Sequence, residues 1–141
     1  MMTNRNSPLQ QETFAFLDIE TTGGNPQRDR ITEIGIRFWR AGEVVGEWQT
    51  LLNPETRISG FIERLTGITN AMVADAPLFA DIADELEQQL QGKVFVAQNA
   101  RFDYGFITSL PNYSPGCPMA RGFTGFTATT MCFCTLAKAP T

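Results

Sequence analysis

Two acidic side chains stand at the end of an apolar segment near the start of the chain. Residues 14–17 read Phe-Ala-Phe-Leu, and Asp18 and Glu20 follow before glycine interrupts the pattern at Gly23. Side chains alternate across a strand, so residues spaced i, i+2 project from one face. Neighbouring carboxylates repel each other unless a cation lies between them, and hard oxygen ligands suit Mg²⁺ or Mn²⁺. The pair predicts a divalent-metal site, and the alternative is an ordinary, solvated strand end.

A second acidic motif lies far downstream. Residues 94–97 (Val-Phe-Val-Ala) predict a short buried strand, Asn99 is a candidate helix cap, and Asp103 would fall in the first turn of the helix that follows. Ligands of open α/β sheets bind outside the carboxyl ends of the strands. If the two strands are parallel neighbours, Asp103 meets Asp18 and Glu20 at that edge of the sheet.

These motifs resemble those of a known nuclease family. Residues 17–23 (Leu-Asp-Ile-Glu-Thr-Thr-Gly) look like the first motif of the DEDD 3′–5′ exonucleases, and residues 99–103 (Asn-Ala-Arg-Phe-Asp) look like the second. Residues 65–69 (Leu-Thr-Gly-Ile-Thr) are similar to the loop between them. Within the family, the resemblance is greatest to the proofreading epsilon subunit of bacterial DNA polymerase III, and it covers about residues 13–107. It implies an α/β, ribonuclease H-like exonuclease fold and release of nucleotides from a 3′ end.

The resemblance also implies roles for individual residues. Asp18 would bridge two metal ions (Mg²⁺ or Mn²⁺), Glu20 would complete the first metal site, and Asp103 would bind the second ion. Contact with the terminal nucleotide is implied for four residues: Thr21, Leu65, Thr66 and Phe102. Core packing is an equally good interpretation of Leu65 and Phe102. The implied partners are a nucleic-acid 3′ terminus, with single-stranded DNA favoured over RNA, and a DNA polymerase or repair nuclease.

The family's third motif is missing from the sequence. In that motif a His or Tyr precedes a fourth carboxylate, but this chain has no His, and no Asp or Glu follows Asp103. Residues 108–141 carry only two charged side chains, Arg121 and Lys138, and show no helical or strand periodicity. We interpret them as an aberrant tail produced by a lost reading frame; a genuine, divergent tail is the alternative. The predicted divisions are a flexible segment (1–12), the first two-thirds of an exonuclease domain (13–107) and the tail.

The pattern of the remaining elements predicts a mixed sheet with an antiparallel hairpin. Strands are expected at residues 13–19, 30–40 and 44–52, the last two joined by a turn at 41–43. A short helix is expected at residues 59–66, and an amphipathic helix should begin at Pro77 and stop at Gly92. The predicted order is β-β-β-α-β-α, truncated after the fourth strand and the following helix. The fourth strand would then form an unprotected edge.

Composition limits the class of protein. A chain of 141 residues suits one domain, and its net charge of −4 provides no broad basic footprint for duplex DNA. No secretory signal or membrane-spanning run is recognisable, and an odd number of cysteines argues against a disulfide framework. These features predict a cytoplasmic protein with free thiols and no membrane partner.

Three functional hypotheses follow. The first is a metal-dependent 3′–5′ exonuclease of the proofreading or repair type, with its catalytic site incomplete in this chain. The second is a catalytically dead binding or interaction module that retains part of the exonuclease fold. The third is an inherited scaffold without function in this product.

Overall fold

The computed structural model describes residues 8–109 and the backbone of residues 131–133. A single helical turn, α1 (Pro8–Gln11), precedes three strands, β1 (Thr13–Thr21), β2 (Ile31–Arg40) and β3 (Glu43–Leu51). Two short helices, α2 (Gly60–Thr66) and α3 (Asn70–Val73), and a longer helix, α4 (Phe79–Leu90), follow. The described chain continues with β4 (Val94–Ala97), α5 (Ala100–Ile107) and β5 (Met131–Phe133). Among the described residues, no helix is long and apolar enough to cross a lipid bilayer.

The strands form one mixed sheet in the order β3-β2-β1-β4-β5. β1 and β2 pair antiparallel, as do β2 and β3, whereas β4 runs parallel to β1. The hairpin between β2 and β3 turns through Ala41 and Gly42, whose φ angles are 50° and 89°. Positive φ at both turn positions matches the right-handed twist of the flanking strands. The predicted α/β fold, its antiparallel hairpin and the parallel placement of β4 are confirmed.

The core lies on one face of this sheet. The alternate residues Ala15, Leu17 and Ile19 of β1 are buried there, together with apolar residues of β2, β4 and α5. α4 contributes Phe79, Ile82, Ala83, Leu86 and Leu90, which recur at the spacing of one helical face. Burial of this apolar surface is the main stabilising term of the fold. One side-chain contact reinforces it: Trp48 Nε1 of β3 donates a hydrogen bond of 2.9 Å to Glu85 Oε1 of α4.

One predicted helix boundary is wrong, and one predicted cap is confirmed in position only. α4 begins at Phe79 rather than Pro77, because the Asp81 carboxylate accepts a 2.9 Å hydrogen bond from the Leu78 N–H and so makes Leu78 the residue before the first turn. Asn99 does precede α5, but its side chain makes no capping hydrogen bond.

The bare edge expected at β4 is also wrong. β5 follows the predicted point of truncation, and its backbone pairs parallel with β4, Val96 lying opposite Cys132. This strand was missed because the sequence around it shows no alternation. The proposed loss of reading frame concerns residues that lie mostly outside the described part of the chain, so it stays a prediction.

Candidate active site

Asp18 and Glu20 project from the face of β1 opposite the core. Asp18 is exposed and Glu20 is half-buried, whereas Leu17, Ile19 and Thr21 between and beside them are buried. Glu20 lies opposite Glu33 of β2 in the strand register. Burial raises the pKa of Glu20, and the charges of Asp18 and Glu33 raise it further. The strand therefore concentrates negative charge at its carboxyl end, as the spacing of the two acids predicts.

Asp103 reaches the same end of β1 from α5. The parallel pairing of β1 with β4, in which Ala15 lies opposite Phe95, brings the start of α5 beside the carboxyl end of β1. Asp103 is only 4% exposed. Burial raises the pKa of its carboxyl to about 6, and the charge of Asp18 adds to the rise, while a hydrogen bond from the Ile19 backbone opposes it. The acids of two distant motifs are thus electrostatic neighbours.

The three carboxylates suit a divalent metal in their chemistry. They offer hard oxygen ligands, and a cation among them would relieve the repulsion that contributes to the raised pKa of both Glu20 and Asp103. In the part of the chain that the structure describes, no three Asp, Glu, His or Cys side chains form a ready-made metal cluster. Asp18 is exposed, so its carboxylate has the rotational freedom to move toward an ion. The three residues therefore fit a metal in the chemistry of their oxygen ligands.

Of the four residues implied to contact the nucleotide, two have hydroxyls engaged within the chain. Thr21 Oγ1 donates a hydrogen bond of 2.6 Å to Gly23 O, and Thr66 Oγ1 donates one of 2.9 Å to Ile62 O. Thr66 Oγ1 also accepts a hydrogen bond from the Ile68 N–H. Both hydroxyls therefore shape their own turns. Their contact with a nucleotide stays a prediction.

The two apolar members of that set differ in exposure. Phe102 is half-buried, packed against the core cluster, and its ring centroid lies 4.8 Å from that of Phe106. Leu65 is 69% exposed on α2. Core packing therefore accounts for much of the Phe102 side chain, but not for Leu65.

Sequence reasoning recognised the turn-forming residues 23–26 but missed Asp29, which supports the loop after β1. The Asp29 carboxylate accepts a 2.9 Å hydrogen bond from the Asn25 N–H, and it lies so close to Gly23 that a Cβ there would be 2.5 Å from Asp29 Oδ2. Thr22 Oγ1 accepts a hydrogen bond from the Arg30 N–H, which closes the loop. A side chain at position 23 would therefore displace the Asp29 carboxylate from this position. The loop fixes the chain directly after the two acids.

Glu33 of β2 has a structural partner within the sheet. Its carboxylate accepts a hydrogen bond from the Gln49 side-chain amide of the neighbouring strand. The influence of Glu33 on Glu20 was not anticipated, although the alternation of β2 placed it on the same face. Beyond these acids, the open face of β1–β3 forms a groove of about 770 Å³ that begins at Asp18.

The family to which the chain belongs is shown by sequence comparison. The RNase_T exonuclease family model matches residues 15–109. The 3′-5′ exonuclease DinG of Bacillus subtilis (strain 168) is 38% identical over 100 residues, which cover 70% of this chain and 11% of that protein. A PolC-type DNA polymerase III of Caldanaerobacter subterraneus subsp. tengcongensis is 38% identical over 109 residues, 77% of this chain and 8% of that protein. The chain thus spans about a tenth of the length of these relatives.

The fold is shared with solved structures of exonuclease I. E. coli exonuclease I in complex with a dT13 oligonucleotide has a TM-score of 0.62 and 23% sequence identity, over 70% of this chain and 23% of that one. The matched family region begins within β1, extends past the end of α5 and contains both acidic motifs. The chain therefore belongs to the exonuclease family of DEDD (DnaQ-like) proteins.

Proposed function

We propose that this chain carries the metal-binding part of a 3′–5′ exonuclease that acts on the 3′ terminus of single-stranded DNA. The main support for the proposal is the position of Asp103. It is buried at the carboxyl end of β1, and the charge of Asp18 contributes to the raised pKa of its carboxyl. Two acidic motifs separated by about eighty residues have no structural need to meet in this way, since burying a carboxyl without a counter-ion destabilises the fold. The names of the relatives, a 3′-5′ exonuclease and a DNA polymerase III, support the same reaction.

The chain's own residues would hold the reacting phosphate and its metals. Asp18, exposed at the strand end, would ligate both ions, Glu20 would complete one site and Asp103 the other. Two divalent ions, when bound, stabilise the attacking and leaving oxygens of an in-line displacement at phosphorus. The loop at Gly23 and Asp29 holds the backbone next to Glu20. Leu65 would contact the terminal nucleotide.

The sequence supplies neither the His nor the fourth acid that the resemblance implies. We propose that the site is incomplete in this chain, and that a lost reading frame from about residue 108 accounts for it. When catalytic groups act as a unit, removal of one lowers the reaction rate on the order of 10³-fold or more. Cleavage by this chain should therefore be slow. Translation of the coding DNA in its other two frames tests the cause: an apolar strand followed by a His and an acid is expected, and its absence would contradict a lost frame.

The experiment that tests the function is digestion of a labelled single strand in Mn²⁺. A 3′-labelled strand should release labelled mononucleotide slowly, and a 5′-labelled strand should shorten stepwise. Asp18→Ala should abolish both, whereas Asp84→Ala, an exposed acid on α4, should not. Cleavage that persists in Asp18→Ala would contradict the proposal.

A second candidate is a non-catalytic nucleic-acid-binding module. The absence of His from the sequence, and of any acid after Asp103, favours it. Binding of a single strand that needs no metal, with no cleavage above the Asp18→Ala background, would support this candidate over the first.

A further inference from the structure

α2 presents an apolar and basic surface that the fold does not use. Phe61 is 66% exposed and Leu65 is 69% exposed, and their i, i+4 spacing places them side by side on one face of the helix. Arg64, also exposed, is spaced i, i+3 from Phe61 and flanks it. We call Phe61, Arg64 and Leu65 the outer face of α2. A group of large, exposed apolar side chains is typical of a surface that binds a ligand or a partner.

The fold holds this face firmly, so the exposure is not that of a loose segment. Ser59 Oγ caps the start of α2 by accepting from the Ile62 N–H, and Gly67 ends the helix with a φ of 77°. The Asn70 side chain ties α2 and α3 together through bonds to Ile58 and Glu63. The inner face of α2 packs through Ile62 on a small core, separate from the main one, that contains Ile58, Ile68 and Val73. The two apolar side chains of the outer face, Phe61 and Leu65, stay exposed.

The same anchoring places α2 at the sheet edge that carries the acids. Leu51, at the end of β3, packs on that small core and lies opposite Glu33 in the register, while Glu33 lies opposite Glu20. Neighbouring strands are about 4.8 Å apart, so Glu20 and the end of β3 are separated by roughly 10 Å. A strand of nucleic acid whose 3′ end lies at the acids would pass α2 within a few nucleotides.

The charge of the outer face suits nucleic acid. The chain as a whole is acidic, yet Arg57 and Arg64 are both exposed beside α2. Hydrogen bonds from Asn70 and, to a smaller extent, the charges of Arg57 and Arg64 lower the pKa of the single acid among them, Glu63, so the two arginines exceed this acid by one positive charge. The Arg64 guanidinium lies back along the helix, 3.3 Å from where a Cβ on Gly60 would be, in the turn that also contains Phe61. An aromatic ring and an arginine on neighbouring turns can together stack on a base and pair with its phosphate.

We propose that the outer face of α2 binds the nucleotide that precedes the 3′-terminal one, with Phe61 stacking on its base and Arg64 pairing with its phosphate. This inference rests on the proposed function, because it takes Leu65 as the contact of the terminal nucleotide. Phe61 lies one helical turn away, about 5.4 Å along the axis, which is of the order of the separation of neighbouring nucleotides. Phe61 and Arg64 are binding residues in this proposal, and the acids alone carry the chemistry.

The test is fluorescence anisotropy of the full chain with a 5′-labelled oligothymidylate. A strand of roughly twelve nucleotides is long enough to cover a site of the usual ~4–16 nucleotides. EDTA in the buffer keeps cleavage from consuming the probe, so the readout does not depend on nuclease activity. Phe61→Ala should weaken binding about 5- to 150-fold, which corresponds to the loss of one stacked base, and Phe61→Trp should retain it. Val45→Ala removes an equally exposed apolar side chain from β3 and should leave affinity unchanged.

Arg64→Gln separates the phosphate contact from the stacking contact. Loss of one phosphate contact should reduce the slope of log affinity against log salt by about 0.7, which a merely structural role would not change. Equal melting temperatures of the variants show that folding is preserved, since all three side chains are exposed. Wild-type affinity in Phe61→Ala, or no measurable binding by the unaltered chain, would assign the outer face to a protein partner or to solvent and overturn the inference. Phe61-dependent binding without Asp18-dependent cleavage would uphold the inference while the proposed nuclease function fails.

Discussion

Replacing Asp103 by Asn should stabilise the metal-free chain at neutral pH. In the folded chain Asp103 keeps its proton up to about pH 6, whereas in the unfolded chain it loses it near its ordinary pKa, about 4. The folded state therefore binds more protons between these values, and the free energy of unfolding falls as pH rises through them. A difference of roughly 2 pK units, at about 1.4 kcal/mol per unit, sets an upper limit of about 3 kcal/mol. Since the surroundings of the carboxylate relax, we expect Asp103→Asn to gain about 1–2 kcal/mol above pH 7.

The assay is urea denaturation in EDTA at constant ionic strength, at about pH 4 and about pH 7.5. The gain should be present at the higher pH and fall to a few tenths of a kcal/mol at the lower one, where the wild-type carboxyl is protonated in the folded chain and about half protonated in the unfolded chain. Asp84→Asn, the same change at an exposed site on α4, should shift stability by less than about 0.5 kcal/mol at both pH values. An Asp103→Asn chain that is no more stable than the wild type at pH 7.5 would refute the reasoning, because the carboxylate would then not be strained by burial.

Two further predictions concern hydrogen bonding and use the same denaturation assay. In the described part of the chain the buried Thr32 hydroxyl has no hydrogen-bond partner, so Thr32→Val should stabilise the chain by about 1 kcal/mol. Thr21→Val should instead destabilise it by about 1 kcal/mol, because Thr21 Oγ1 donates a hydrogen bond to Gly23 O. Equal effects of the two changes on stability would contradict this account. Asn70→Ala removes side-chain hydrogen bonds that join α2 to α3 and should cost about 2–3 kcal/mol, and a cost under about 0.5 kcal/mol would show that these bonds do not hold α2.

The sequence was informative where a period of two or of 3.6 residues reported burial directly. The hairpin was predicted because β2 alternates from Ile31 to Arg40, and α4 because its apolar residues fall on one helical face. The start of α4 was misplaced because the preference of Pro77 for a first turn was outweighed by the side chain of Asp81, a contact that only the folded chain shows. β5 was missed because three residues in a segment without alternation give no signal.

The candidate site was likewise predicted from the sequence only in part. Motif spacing and the parallel crossover were sufficient to bring Asp103 to Asp18, because the carboxyl ends of parallel neighbours share one edge. The burial of Asp103 and the effect of Glu33 on Glu20 depend on packing and strand register, which no local pattern encodes. The exposure of Phe61 was also beyond reach, because an aromatic residue on a short helix is ordinarily assigned to the core.

The most direct test of whether the three acids form a metal site is a measurement of Mn²⁺ binding. The electron paramagnetic resonance signal of the free ion reports how much Mn²⁺ is bound. The wild-type chain should bind Mn²⁺ saturably, Asp18→Asn and Asp103→Asn should each bind it at least about tenfold more weakly, and Asp84→Asn should bind it like the wild type. Equal Mn²⁺ affinity of the wild-type, Asp18→Asn and Asp103→Asn chains would contradict the account.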